Sequence, residues 1–190
     1  MDNDDTLVRR TLAGDLDAFD VLVRRHRDVV YRVAARIVGP NDAEDVAQDA
    51  MLRAFHRLQQ FRGDAPFKSW LLRITHNTAL NSLDKGWRDR EAESVDELDL
   101  PADSPVDRAR APVANLEAGE RRSRLAQKIG LLKPNHRSVL VLRDLEGLSY
   151  DEIAEVTDTP VGSVKGRIHR ARSELIDLLR NNTYDWELPA

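Results

Sequence analysis

Apolar positions in the first half of the chain recur at steps of three and four, the period of an amphipathic helix. A first helix is predicted over 6–13, ended by Gly14. A second is predicted over 16–38, with Phe19, Leu22, Val23, Val29, Val30, Val33, Ala34 and Ile37 on its buried side. Gly39 and Pro40 stop it. Asn41, with Glu44 three positions later, reads as the cap of a third helix. Its apolar stripe is Ala43, Val46, Ala47, Ala50, Met51, Ala54, Phe55 and Leu58. The opposite face carries Asp42, Asp45, Gln48, Asp49, Arg53 and His56, a density of acids and amides that suits solvent or a protein contact. Loop 61–67 (FRGDAPF) sets turn formers between aromatics. A fourth helix is predicted over 68–85. Trp70, Leu71, Ile74, Thr78 and Leu83 point inward, and Arg73, His76, Asn77, Leu80, Asn81 and Lys85 form a mixed polar surface. Aromatics, amides and cations beside such a loop suit unstacked single-stranded DNA. Core packing is the plainer reading of Phe61, Phe67 and Trp70, and solvated surface that of Asn77 and Asn81.

The pattern changes after residue 87. Residues 88–118 contain Pro101, Pro105 and Pro112 and keep no helical period, which marks a linker. Periodicity then returns, and residues 148–172 (LSYDEIAEVTDTPVGSVKGRIHRAR) read as a helix, a tight turn and a second, basic helix. Ser149 with Glu152 forms a capping box, and Ile153, Ala154 and Val156 give the first helix an apolar side. Asp158 and Thr159 break it. Thr159 is the expected cap of the next helix, with Pro160 at its first position, where a missing N–H is harmless. Val161, Val164, Ile168, Ala171 and Leu175 share one face of that helix. The other arc holds Gly162, Ser163, Gly166, Arg167, His169 and Arg170, with Lys165 and Arg172 nearer the buried edge. Small residues followed by cations allow close approach to a DNA groove and contact with phosphates or guanine edges. An ordinary helical hairpin with a solvated basic face has the same local pattern.

Composition narrows the class. The chain has 190 residues, 33% charged and 5% aromatic, which suits a helical protein better than a β-sandwich. No apolar run reaches transmembrane length, and the acidic start MDNDD is unlike a signal peptide, so the cytoplasm is the expected location. There is no cysteine, and His26, His56, His76, His136 and His169 lack metal-ligand spacing. No cofactor or metal is expected. Nucleophile elbows and phosphate loops are missing, so no enzyme is expected either. The net charge of −4 looks wrong for a DNA reader until it is divided along the chain. Residues 1–87 carry 13 basic and 13 acidic groups, 88–118 carry 4 and 9, and 119–190 carry 12 and 11. The acidic excess lies in the linker, which reads as a plain tether or as a strand for a basic channel.

These segments together resemble the extracytoplasmic-function sigma factors, small initiation subunits of bacterial RNA polymerase in the sigma-70 family. The resemblance rests on residues 42–49 (DAEDVAQD), 61–64 (FRGD), 70–79 (WLLRITHNTA), 148–154 (LSYDEIA) and 160–165 (PVGSVK). It implies an all-α fold of two small helical domains joined by a flexible acidic linker, the second with a helix-turn-helix. The domains would be 1–87 and 119–190, with the linker at 88–118. It implies that Asp42, Asp45, Gln48 and Asp49 dock on the clamp helices of the largest polymerase subunit. Phe61, Arg62, Gly63, Asp64, Phe67 and Lys68, with Arg73, Asn77 and Asn81, would hold the melted −10 element. Ser163, Lys165, Arg167, His169 and Arg170 would read the −35 element while that domain sits on the flap of the second-largest subunit. The acidic linker would thread toward the RNA path. Promoter DNA and an anti-sigma factor are further implied partners, and membrane insertion is not. Gly166 and His169 depart from common family choices, and Gly166 costs roughly 1 kcal/mol of helix propensity against Ala. Tail residues Tyr184 and Trp186 have no assigned place. The alternatives are a one-component helix-turn-helix regulator and a helical adaptor without a DNA role.

Overall fold

The computed structural model describes residues 2–92 and 113–180, and every regular element among them is helical. Helix α1 (Asp4–Leu12) begins on Asn3, whose side chain accepts from the Thr6 N–H at 2.8 Å. Helix α2 (Leu16–Val38) begins on Asp15, which accepts from the Ala18 N–H. Gly39, at φ +93, turns the chain where an L side chain would be strained, and Pro40 opens α3 (Pro40–His56) from its first position. Asn41 therefore lies inside α3 and does not cap it, contrary to the sequence expectation. A 3₁₀ turn (Leu58–Gln60) and loop 61–66 lead to α4 (Phe67–Ala92). This helix outruns its expected end at 85.

The second unit contains α5 (Val113–Gly130), α6 (Pro134–Leu140), a π turn (Val141–Leu145), α7 (Tyr150–Thr157) and α8 (Val161–Arg180). Both ends of the expected linker 88–118 are thus helical, and its middle lies outside the described residues. So do Tyr184 and Trp186.

Two apolar cores follow from the two faces of α2 and α4. Leu22 and Val30 of α2 join Leu7 and Val8 of α1, Ala50 and Ala54 of α3, and Phe67, Leu71 and Ile74 of α4. This first core is internal to the N-terminal unit. The opposite faces, with Val29, Val33 and Ile37 of α2 and Leu72 and Ala79 of α4, enter a second core. Their partners there are Leu132, Val139, Leu142, Ile153, Val156, Val164 and Ile168 of the C-terminal unit. The two units therefore complete one core between them. A fully buried aliphatic side chain is worth about 1.5–3 kcal/mol over an exposed one, so this seam is a substantial element of the fold.

The shared core overturns one expectation directly. His76 is 4% exposed, not part of a polar surface, because α6 lies over it and Ser138 Oγ sits 3.2 Å from its Nε2. Leu80 is half-buried for the same reason. Phe55 departs the other way: it is 39% exposed and leans on Phe19 edge-on at 4.9 Å.

Candidate nucleic-acid interface

The loop before α4 is built on an aromatic cluster. Phe61, Phe67 and Trp70 have ring centroids 5.4–5.7 Å apart, and His26 packs on Phe67 at 5.5 Å. Phe67 is 2% exposed. It anchors the loop from below, packed in the cluster as the plainer reading of the sequence expects, and it also borders the hollow under the turn. Phe61 is half-buried, while Arg62, Gly63, Asp64 and Lys68 are exposed around it. Gly63 turns the loop at φ +79. Beneath the turn lies a hollow of about 590 Å³ lined by Gly63, Asp64, Ala65, Pro66 and Phe67, with Asn3, Asp4, Asp5 and Arg25 opposite. Asp4 holds that wall by binding Arg25 and His26, at 2.5 and 2.8 Å.

A second hollow of about 360 Å³ lies along α4 and brings Asn77 and Asn81 together with Arg53 and Arg57 of the α3 end. The sequence pattern places Arg53 on the acidic face and gives no signal for Arg57. Nothing local in the sequence shows that the α3 end meets the third turn of α4. Arg53 is held by Asp49, at 2.8 Å. Arg73 points the other way and pairs with Asp158 of the C-terminal unit at 3.1 Å.

The acidic face of α3 is exposed at Asp42, Asp45 and Gln48 and half-exposed at Asp49. Leu52, one turn further on, is 60% exposed. Its i+3 and i+4 relation to Asp49 and Gln48 gives the charged stripe an apolar end. That spacing was legible in the sequence but was read only for the charges.

In the helix-turn-helix, both bonds of the capping box are present: Glu152 N–H to Ser149 Oγ at 3.2 Å, and Ser149 N–H to Glu152 Oε2 at 2.7 Å. These bonds from Ser149 hold the Glu152 carboxyl below its ordinary range. Asp158 ends α7 in the left-handed region at φ 52. The Thr159 hydroxyl donates back to the Thr157 carbonyl at 3.0 Å. Val164, Ile168 and Ala171 are buried, and Ser163, Lys165, His169 and Arg170 are exposed, with Lys165 nearest the buried edge. The Arg170 guanidinium folds over Gly166, where an added Cβ would lie 3.5 Å from Nη1. Lys165 Nζ lies 5.5 Å from the Tyr150 ring centroid, and Arg172 is taken by Asp144. Arg167 is half-buried and lies close enough to His76 for its charge to disfavour the imidazolium. Four of the five expected −35 residues are thus exposed, and Arg167 is half-buried beside α4. Among the described residues no group of acids and histidines could hold a metal, and no helix is long and apolar enough to cross a membrane.

Two family models match the chain. The family described as Sigma-70 region 2 matches residues 22–89, and Sigma-70, region 4 matches residues 122–175. The ECF RNA polymerase sigma-E factor of Escherichia coli K12 is 38% identical over 177 residues, 92% of each chain. That of Haemophilus influenzae is 37% identical over 180 residues, 92% of this chain and 93% of its own. Among solved structures, CnrH in complex with the cytosolic domain of CnrY aligns with a TM-score of 0.66 and 31% identity, covering 96% of this chain and 100% of that one. The Bartonella quintana sigma factor RpoE, solved with the anti-sigma factor NepR, shares the fold at a TM-score of 0.67 and 21% identity, over 86% and 98% of the two chains.

Proposed function

The chain belongs to the extracytoplasmic-function sigma factors of the sigma-70 family, and from that premise we propose how its surfaces divide the work. As a sigma factor it binds core RNA polymerase and promoter DNA and directs promoter-specific initiation. The single observation that carries this is full-length similarity: both regions match in order, and the relatives align over nine-tenths of each chain. A one-component regulator is not favoured, because both matched families are sigma-70 regions and the relatives are sigma factors.

In our reading, residues 1–87 bind polymerase and the −10 element, 119–190 read the −35 element, and 88–118 connect them. Asp42, Asp45, Gln48 and Asp49 meet the clamp helices of the largest polymerase subunit, with Leu52 as the apolar anchor the charges surround. Interface energy concentrates in such desolvated centres. The hollow under Gly63 takes a base displaced from the −10 element, with Arg62, Asp64 and Lys68 at its rim. Capturing an unstacked base favours melted DNA over duplex. Asn77 and Asn81, with Arg53 and Arg57, line the neighbouring strand. Ser163, Lys165, His169, Arg170 and, once turned outward, Arg167 enter the major groove, with the C-terminal unit seated on the flap of the second-largest subunit. All of this is binding work, so the protein needs no catalytic group. It acts where the polymerase is, in the cytoplasm. An anti-sigma factor is a further partner, as in the RpoE–NepR complex.

The test is initiation in vitro with core polymerase and promoters from the same genome. Wild type should yield specific transcripts. Asp45→Arg with Asp49→Arg should remove core binding while the helical signal and melting curve stay unchanged. Specific initiation at wild-type level by the double variant would refute the docking face, and no initiation by folded wild type would refute the whole reading.

A further inference from the structure

The hollow under Gly63 has two walls from distant parts of the sequence. One is the turn 63–66, with Phe67 beneath it. The other is the first turn of α1, where Asn3, Asp4 and Asp5 stand beside Arg25 of α2. A base held in the hollow lies between the two.

The second wall is fixed in place. Asn3 caps α1, its side-chain oxygen accepting from the Thr6 N–H at 2.8 Å. The Asp4 carboxylate is divided between Arg25 Nη1 at 2.5 Å and His26 Nε2 at 2.8 Å. Arg25 Nη2 donates in turn to the Asp2 carbonyl at 2.9 Å. His26 is buried and packs on Phe67 at 5.5 Å, so Asp4 ties this wall to the floor of the hollow. Two carboxylates are left over. Asp5 on one wall and Asp64 on the other are both exposed, and neither side chain has a partner among the described residues.

The lining therefore sets three carboxylates, Asp4, Asp5 and Asp64, against the single guanidinium of Arg25, which Asp4 already holds. Such a site repels a phosphate and suits a hydrogen-bond donor. Arg62 and Lys68 stand exposed outside it, where they can take the flanking phosphates. A flipped base is read on its Watson–Crick edge. Cytosine, adenine and guanine each carry an exocyclic amine there, and a carboxylate accepts from such an amine. Thymine carries two carbonyl oxygens about one N–H, and would set an acceptor against a carboxylate with no proton between them. We propose that the first turn of α1 is the selective wall of the −10 base hollow, where Asp5, with Asp64 opposite, admits an amino-bearing base and rejects thymine. Asp4 is a positioning residue that holds Asp5 against the loop. The proposal rests on the base-capture role given above, and its test separates the two.

The experiment uses the full chain with core polymerase on a promoter of the same genome, located by mapping its transcription start. Each −10 position is made C, A, G or T in turn. At one position wild type should initiate about 5- to 100-fold less from thymine than from its best base, the range of one good base contact. Asp5→Asn should bring thymine close to the best base at that position alone, with preferences elsewhere in the −10 and −35 elements unchanged. Asp17→Asn, an equal charge change at an exposed acid outside the hollow, should alter no preference. Asp4→Asn should erode the same preference and spare the others, a pattern that general loosening of the fold would not give. The proposal is overturned if wild type tolerates thymine at every position, or if Asp5→Asn leaves the preference as it was. It is overturned equally if Asp5→Asn raises initiation from all versions alike, since Asp5 would then only repel the DNA backbone. Initiation by wild type from the unaltered promoter tests the sigma-factor reading by itself, so either can fail alone.

Discussion

At the scale of single residues, His76 is the most sensitive reporter of the seam. Burial, aided by the Arg167 charge and opposed by the Asn77 side chain, pushes its pKa down to about 4 from an ordinary value near 6.5. An imidazole freed by unfolding would return toward the ordinary value. Between those limits the unfolded form binds more protons than the folded one. The fold is therefore most stable above pH 6.5 and weakens as pH falls toward 4, by about 1.4 kcal/mol per pH unit. The melting temperature of wild type should fall between pH 7 and pH 5, and His76→Gln should flatten that response. An equal response in both proteins would place the titration elsewhere. Sequence alone set His76 among polar neighbours because its partner, Ser138, lies 62 positions away. Phe67 was easier to read: core packing is the plainer reading of an aromatic there, and His26 and Trp70 do enclose it.

At the scale of elements, α7 and α4 show what sequence reveals and what it hides. The α7 cap was legible because its two partners are three residues apart and local chemistry decides the bond. Ser149→Ala should cost about 1 kcal/mol. Because α7 has only eight residues and packs on α4, the loss should appear as faster amide exchange in α7 as well as a lower melting temperature. Unchanged exchange there would mean that packing alone holds the helix. In α4 the apolar positions were visible on two faces, Leu71 and Ile74 on one and Leu72, Ala79 and Leu83 on the other. Periodicity marks a face as buried but does not say by what. The inward list therefore kept one face nearly whole and left Leu80 on the surface. Helix ends were legible where Gly39 and Pro40 stop α2, and misleading at residue 85, where Gly86 reads as a stop yet α4 continues through it to Ala92.

At the scale of the whole molecule, the all-α class was readable because helical period is a local property repeated along the chain. The meeting of the units was not, since it depends on pairs such as Arg36 with Glu146, 110 positions apart. Neither residue is unusual in its own segment. The common core bears on how such proteins diversify. Two reading heads on a tether would be freely exchangeable parts, each altered to suit a new promoter without disturbing the other. Here Val29, Val33 and Ile37 must fit whatever helix-turn-helix unit lies against them. A transplanted C-terminal unit could bring the right base preference and still pack poorly against α2. Changes in what the protein reads and changes in how its two units pack are therefore inherited together.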